Sequence, residues 1–368
     1  MTGRAVARVR SRAIQQNCSL LHGLARGSGA QLCAVVKANG YGHGAVTAAR
    51  AAQAGGASWL AVATAGEAAE LRAAGIDGPV LVMGALTRSD LDTALAARAD
   101  IVAWTRELVE AAASRGSARV HVKLDSGMGR LGTKDPREAR ALCDLVAATD
   151  GLELAGAMTH FATADERGDD HLPDQLSRFT AFVGDVRRDH PQVTVHAANS
   201  AAHLREPRAR FDLVRCGVAI YGLDPFGTDP GDEGLEPALS LESYVAAVKR
   251  FEPGDSAGYG RRWIASEPTW VGVLPIGYGD GFRRAFSNNA DVLVRGRRHP
   301  LVGTVSMDNI TIDLGPETDV EPGDGAVLIG RQGGERILAE DLARRIDTIN
   351  YEITTGLLPR AERVEDER

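Results

Sequence analysis

Cysteine, aromatic residues and net charge are all scarce in this chain, and long apolar runs are absent. Its four cysteines, Cys18, Cys33, Cys143 and Cys216, stand far apart with no C-x-x-C pair. That spacing suits neither a zinc site nor a disulfide framework, so no metal is expected, and buried free thiols in a cytoplasmic protein are the plain reading. No apolar stretch approaches the roughly 20 residues that a membrane span needs. The opening residues, MTGRAVARVRSRAIQQN, carry arginines but no apolar core or small-residue cleavage site, so an export signal is not expected. Lys+Arg 42 against Asp+Glu 49 leaves a net charge of -7, without the basic footprint of a general nucleic-acid binder.

What is present is the composition of a folded protein, 44% hydrophobic and 25% charged over 368 residues. At roughly 150 residues per domain, that length suits two domains, or one large barrel with an addition. From about residue 30 to 220, short β-branched runs alternate with Ala-, Leu- and Arg-rich stretches of helical spacing. The runs are LCAVV (32–36), SWLAVAT (58–64), PVLVMGA (79–85), DIVAW (100–104), ARVHVKLD (118–125), LELAGAMTH (152–160), VTVHAAN (193–199) and LVRCGVAIYG (213–222). Strands alternating with helices predict parallel βαβ units, and eight of them predict a (β/α)8 TIM barrel. A doubly wound sheet competes, but its glycine fingerprint is missing at the first strand. Residues 222–243, rich in Pro, Gly and Asp, read as a boundary. Beyond it, strands follow one another with a single helix, LAEDLARRI (338–346). The division expected is 1–230 for the barrel and 231–368 for a mostly-β domain, with the Glu/Arg-rich last residues frayed.

The chemistry-bearing residues gather at predicted strand ends. Lys37 follows the first strand in AVVKANGYGHG, where barrel active sites lie. Desolvation there lowers a lysine's pKa and favours Schiff-base chemistry, although an ordinary solvated lysine is the bland alternative. Alternation in ARVHVKLD puts His121, Lys123 and Asp125 on one face, and inward polar groups must be paired. The loop SGMGRLG matches a dinucleotide fingerprint only weakly. It is better read as a glycine-rich loop presenting Arg130 to a carboxylate, with a plain surface arginine as the alternative. His160, then Asn199 and Ser200, then Arg215, Gly217 and Val218 follow later strands. Singly each is more often a packing residue; together they are harder to dismiss. Phosphate sites after strands seven and eight are common in barrels, and a lysine opposite one suggests pyridoxal phosphate. In the β region, GYGRRW (Tyr259), IGYGDGF (Tyr278, Asp280), TVSMDN (Met307, Asp308) and INYEIT (Tyr351) have more polar and aromatic detail than packing needs, although turn chemistry accounts for some of it.

AVVKANGYGHG, VKLDSGMGRLG, THFATAD, ANSAA, VRCGVAIYGLDP, GYGRRW, PIGYGDG, VSMDN and INYEIT, in this order, resemble bacterial alanine racemase over about residues 13–358. The resemblance implies a pyridoxal 5'-phosphate enzyme that interconverts L- and D-alanine for peptidoglycan. It implies a cytoplasmic homodimer with shared sites, a barrel, and a β domain that contributes to the partner's site. It gives Lys37 the Schiff base with the cofactor. Tyr41, Ser200, Gly217, Val218 and Tyr351 hold the phosphate, with Asn199 beside them. Arg215 faces the pyridine nitrogen, and His160 packs near the ring and bonds Arg215. Tyr259 is the second base and, with Met307, comes from the partner. Arg130 and the Met307 main chain bind the substrate carboxylate. Lys123 matches a position carbamylated in many members (N6-carboxylysine), where the carbamate orients Arg130. Tyr278 and Asp308 match the entrance. The family usually opens with an acidic W-x-E-I-D-L strand and ends R-V-P-R-x-Y; here ARVRSRAIQQN and EITTGLLPRAER depart from both. Rival readings are a barrel decarboxylase, which typically has an acid where Arg215 stands, a non-catalytic cofactor carrier, which lacks the β domain, and a racemase of broader or different specificity, usually exported.

Overall fold

In the computed structural model, which describes residues 3–366, a first strand β1 (Val6–Arg10) leads into a helix, Ser11–Arg26. Eight parallel strands then close a barrel: β2 (Gln31–Val35), β3 (Trp59–Val62), β4 (Val80–Val82), β5 (Asp100–Ala103), β6 (Ala118–Lys123), β7 (Leu152–Met158), β8 (Thr194–His196) and β9 (Leu213–Cys216). Strand β9 returns to β2, with Cys33 opposite Arg215. Nearly every residue of these strands is buried, because a barrel strand has side chains inside and helices outside. The connecting helices start where the chain supplies caps. Thr64 with Glu67 and Thr87 with Asp90 form capping boxes, Thr105 caps Arg106–Ala113, and Asp135 precedes Pro136 at the first helical position.

The second unit is built mostly of antiparallel strands. These are β10 (Leu239–Tyr244), β11 (Ala247–Phe251), β12 (Ser256–Ala257), β13 (Trp263–Ile264), β14 (Thr269–Leu274), β15 (Asp291–Val294), β16 (Arg297–Pro300), β17 (Ile310–Gly315), β18 (Gly325–Gln332), β19 (Glu335–Ile337) and β20 (Glu362–Asp366). Their main sheet runs β16-β15-β18-β10-β1-β20, with β19 pairing β18. Alternation along β10 is strict: Leu239, Leu241 and Ser243 are buried, and the residues between them are partly exposed. The predicted helix is present as Ala339–Arg345.

Two details differ from expectation. The expected division at residue 230 assigned the opening residues to the barrel. In the structure the chain up to Ala13, the tripeptide Gly42–Gly44 and everything from Tyr221 onward form one compact unit, and Ile14–Tyr41 with Ala45–Ile220 form the other. The cause is pairing: β1 lies between β10 and β20 in the β sheet. Of the last residues, expected to fray, Glu362–Asp366 form β20, which runs parallel to β1 with Val6 opposite Glu362 and Arg10 opposite Asp366, and 367–368 lie outside the described residues. A covered edge of β1 holds them.

Candidate active site

Lys37 sits just past β2, and the backbone after it turns the wrong way. Ala38, Asn39, Gly40 and Tyr41 all have φ between 52° and 61°, a left-handed turn made by three residues with side chains and one glycine. Each non-glycine there costs roughly 1–2 kcal/mol, so other contacts must hold the turn. Two do. The Ala38 N–H donates to Glu67 Oε1 at 2.6 Å, and the Ala45 N–H donates to Asn39 Oδ1 at 3.0 Å. Glu67 is already fixed, since its other oxygen accepts from the Ala63 and Thr64 N–H groups. The turn swings the Tyr41 ring inward, where burial pushes its phenol up, so the hydroxyl keeps its proton as a donor.

Around Lys37 the barrel gathers positive charge. Burial, then Arg130, lowers the Lys37 pKa. Lys123, at the end of β6, is lowered to about 8 by burial and then by Arg215 and Arg130. Arg215 is fully buried and lowered to about 10 by burial. None of the Lys37, Lys123 and Arg130 side chains has a hydrogen bond or ion pair among the described residues. Basic groups gathered in this way, with no acid bonded to Lys37, Lys123 or Arg130, favour anions.

Arg130 is exposed on the loop after β6. Asp125 shapes that loop by accepting from the N–H groups of Gly127 (3.0 Å), Met128 (2.7 Å) and Gly129 (2.9 Å). Burial alone would raise the Asp125 carboxyl, but these donors bring it below its usual range. Gly132 must be glycine, since a Cβ there would lie 2.8 Å from Asp125 N at φ +118°.

Asn199 caps the short helix Ser200–Arg205 by accepting from Ala202 N. Ser200 Oγ accepts from Gly217 N at 3.0 Å and Ala219 N at 3.3 Å, which leaves its hydroxyl hydrogen to donate elsewhere. A Cβ on Gly217 would fall 2.3 Å from Tyr41 Oη. Tyr41, Ser200 and Gly217, with Val218 next in the chain, thus come together. Arg215 Nη2 donates to Thr159 O and Ala197 O and lies 3.3 Å from His160 Nδ1, while Nη1 lies 2.8 Å from His196 Nδ1. Its Nε is buried without a partner. His160 is held well below its ordinary pKa by burial and by Arg215, and so stays neutral.

The remaining sequence-predicted residues belong to the β unit. Tyr259 is 74% exposed on a 3-10 turn flanked by Gly258 and Gly260, both with positive φ. Its carbonyl accepts from Thr304 Oγ1, and with Thr304 and Ser306 it lines a cavity of about 360 Å³. Met307 is half exposed, and its carbonyl accepts from Gly279 N. Tyr278 N donates to Ser306 O. Asp280, wholly buried, takes a bidentate pair from Arg4 (2.9 and 3.0 Å) and a third contact from Arg360, which also holds Asp308. Tyr351 stands on the helix Asn350–Thr355. Sequence reasoning did not single out Glu67 or Asp100. The T-x-x-E spacing from Thr64 to Glu67 signalled the cap, but nothing in it announced the second oxygen's contact with Ala38. No group of three or more His, Cys, Asp or Glu among the described residues is placed to hold a metal.

Comparison with known proteins adds independent findings. Residues 9–225 match the family model for the alanine racemase N-terminal domain, and residues 238–365 match the one for its C-terminal domain. The chain is 43% identical to the alanine racemase of Thermobifida fusca, over 99% of this chain and 98% of that protein. It is 42% identical to that of Symbiobacterium thermophilum, over 90% of each. Among solved structures, alanine racemase from Streptomyces coelicolor superposes with a TM-score of 0.93 at 35% identity, covering 99% of this chain and 98% of that one. The Bacillus anthracis alanine racemase, solved with bound L-Ala-P, superposes with a TM-score of 0.89 at 35% identity, over 100% and 96%.

Proposed function

Because the chain belongs to the alanine racemase family and is an enzyme of that class, we propose that it interconverts L-alanine and D-alanine by two-base proton transfer on pyridoxal 5'-phosphate, in a cytoplasmic homodimer that supplies D-alanine for peptidoglycan. The observation that carries the cofactor reading is the orphaned Arg215 Nε–H, buried near Lys123, whose pKa Arg215 helps to lower. A buried donor without an acceptor is costly, and an aromatic ring nitrogen would satisfy it. The rest of the barrel fits the same group. Lys37 would bind it covalently. Tyr41, the Ser200 hydroxyl and the Gly217–Val218 backbone would hold its phosphate, joined in this reading by Asn199 and Tyr351, and His160 would pack beside the ring.

When bound, pyridoxal phosphate supplies a conjugated electron-withdrawing system that acidifies the substrate Cα–H bond. Every other task falls to the chain. Burial and Arg130 favour the neutral Lys37 amine, the form that accepts a proton from one face of Cα. Inversion needs a donor on the opposite face, and Tyr259 of the partner subunit is assigned there. Its exposure supports this role. Of the eight large hydrophobic side chains exposed among the described residues, six belong to the β unit: Tyr259, Ile264, Tyr278, Met307, Ile349 and Leu358. Apolar side chains concentrated on one unit suit burial against a second copy. Arg130 and the Met307 backbone are assigned the substrate carboxylate, and Tyr278 and Asp308 the entrance. Arg215 stays charged at neutral pH even when lowered to about 10, so it donates to the ring nitrogen without surrendering its proton. Lys123 is assigned a carbamate, because a lysine near pKa 8 is more readily the neutral amine, whose nitrogen attacks carbon dioxide and releases a proton to solvent. The four cysteines are buried and free, which suits a reducing compartment. No helix among the described residues is long and apolar enough to cross a membrane.

Chiral chromatography of L-alanine incubated with the purified protein and pyridoxal phosphate tests the reading. Equal amounts of both enantiomers are expected. Loaded protein that yields only L-alanine, or that releases carbon dioxide instead, would refute it.

A further inference from the structure

Four barrel strands carry polar groups that form one continuous buried line. Asp100 opens β5, His121 lies in β6, His196 ends β8, and Arg215 lies in β9. Asp100 Oδ2 lies 3.0 Å from His121 Nε2, His121 Nδ1 lies 2.8 Å from His196 Nε2, and His196 Nδ1 lies 2.8 Å from Arg215 Nη1. Exposure is 3% or less at all four. At its outer end Asp100 takes Arg119 Nε on both oxygens, at 3.1 and 3.2 Å, and Arg119 also pairs with Glu153. These three residues line a cavity of about 290 Å³, and Arg119 is 46% exposed there.

The chemistry of the two ends sets the direction of every bond between them. Arg215 can only donate, so His196 Nδ1 must accept. His196 therefore carries its hydrogen on Nε2 and donates to His121 Nδ1. His121 in turn carries its hydrogen on Nε2 and donates to the Asp100 carboxylate. A doubly protonated His121 would force His196 to accept at both nitrogens, leaving it an anion. Burial and Arg215 also hold His196 well below its ordinary pKa. Space for the relay is built in, because a Cβ on Gly156 would lie 2.0 Å from His121 Nδ1.

We propose that Asp100 and His121 are positioning residues, which fix the His196 tautomer through a one-way hydrogen-bond relay and thereby the placement of Arg215 in the active site. Neither touches substrate. The catalytic half rests on the function proposed above; the tautomer half does not, since it concerns the protein without cofactor. Asp100→Asn keeps the shape, but its amide can turn and donate to His121 Nε2. That would move the hydrogen of each histidine to Nδ1 and set His196 Nδ1–H against Arg215, as an Asp→Asn change does to the histidine of a serine-protease triad.

Solid-state 15N spectroscopy on histidine-labelled protein, free of cofactor, reads the tautomers, with His121→Gln and His196→Gln assigning the signals. In the unaltered protein each ring is expected to carry a single hydrogen, on Nε2. Asp100→Asn is expected to populate the Nδ1–H form of both. Gly156→Ala, which crowds the His121 ring, supplies a second perturbation and should disorder both signals. In loaded enzyme, Asp100→Asn should lower kcat on the order of ten-fold, with KM for alanine changed less than about two-fold, the scale seen when an outer partner of a working histidine is removed. An Nδ1-protonated His196 or a doubly protonated ring in the unaltered protein would overturn the relay. So would tautomers that neither substitution changes. Tautomers that shift while kcat does not would overturn the positioning role. A failure of racemisation with the tautomers as expected would fall on the proposed function alone.

Discussion

Replacing Lys123 with methionine should stabilise the cofactor-free protein at neutral pH. Lys123 is 4% exposed, its pKa is lowered from 10.5 to about 8, and no acid pairs with it. That lowering corresponds to about 3 kcal/mol of preference for the neutral amine. The sign follows from linkage. Between pH 8 and 10.5 the unfolded chain holds a proton on this lysine that the folded chain has released, so stability rises with pH through that window. Below pH 8 the folded state carries the whole penalty. Methionine keeps the length and removes the charge. For a unit of this size, at roughly 2–4 °C per kcal/mol, its unfolding midpoint at pH 7 should lie several degrees above that of the unaltered protein. The gap should shrink as pH approaches 10. Scanning calorimetry of cofactor-free protein in carbon-dioxide-free buffer measures it. Added bicarbonate should narrow the gap at pH 7 by converting the buried cation to a carbamate, and should leave the methionine variant unmoved. A methionine variant no more stable than its parent at pH 7, or a gap that does not vary with pH, would refute the electrostatic account. A gap indifferent to bicarbonate would refute the carbamate.

Three further outcomes are expected. Asp125→Asn leaves three backbone donors facing a weaker acceptor, so the loop should loosen and the KM for alanine should rise several-fold through misplaced Arg130, with hydrogen exchange at residues 127–129 as the direct readout. Gly217→Ala drives a Cβ against the buried Tyr41 hydroxyl and should cost about 1–3 kcal/mol of overpacking, seen as a lower unfolding midpoint and as weaker pyridoxal phosphate binding by fluorescence titration. Lys37→Ala and Tyr259→Phe should each abolish racemisation, yet mixing them with subunit exchange should restore activity in up to about half of the mixed sites, because one site of each mixed dimer is intact; no recovery despite proven exchange would mean that Tyr259 serves its own barrel or is not a base.

How much of this was legible in the sequence depends on how local each cause is. The barrel was readable because strand and helix periods alternate eight times, and period is a local property. Lys37 and Arg215 were readable as polar residues at strand ends. The left-handed turn after Lys37 was not, because three of its four residues carry side chains and the contact that holds Ala38 comes from Glu67, 29 residues away. Strands β1 and β20 were obscured for a related reason. Both are rich in charge, and they pair with each other across most of the chain. Alternation marked His121 as one of three polar groups on one face, with a demand for partners. It could not say that the partners come from the start of β5 and the end of β8.

The same distinction separates the two kinds of polar group in the barrel. His121, His196 and Asp100 satisfy one another, so they read as completed structure whether or not a ligand is bound. The side chains of Lys37, Lys123 and Arg130 and the Arg215 Nε have no ion pair or hydrogen bond among the described residues. For the two that are buried, Lys123 and Arg215, a charge or donor left without a partner is costly unless something negative or electron-rich completes it. The barrel thus pairs a finished polar relay with a cationic rim whose groups are left without partners. In the proposed reading, a cofactor phosphate, a ring nitrogen and a substrate carboxylate would together supply what it lacks.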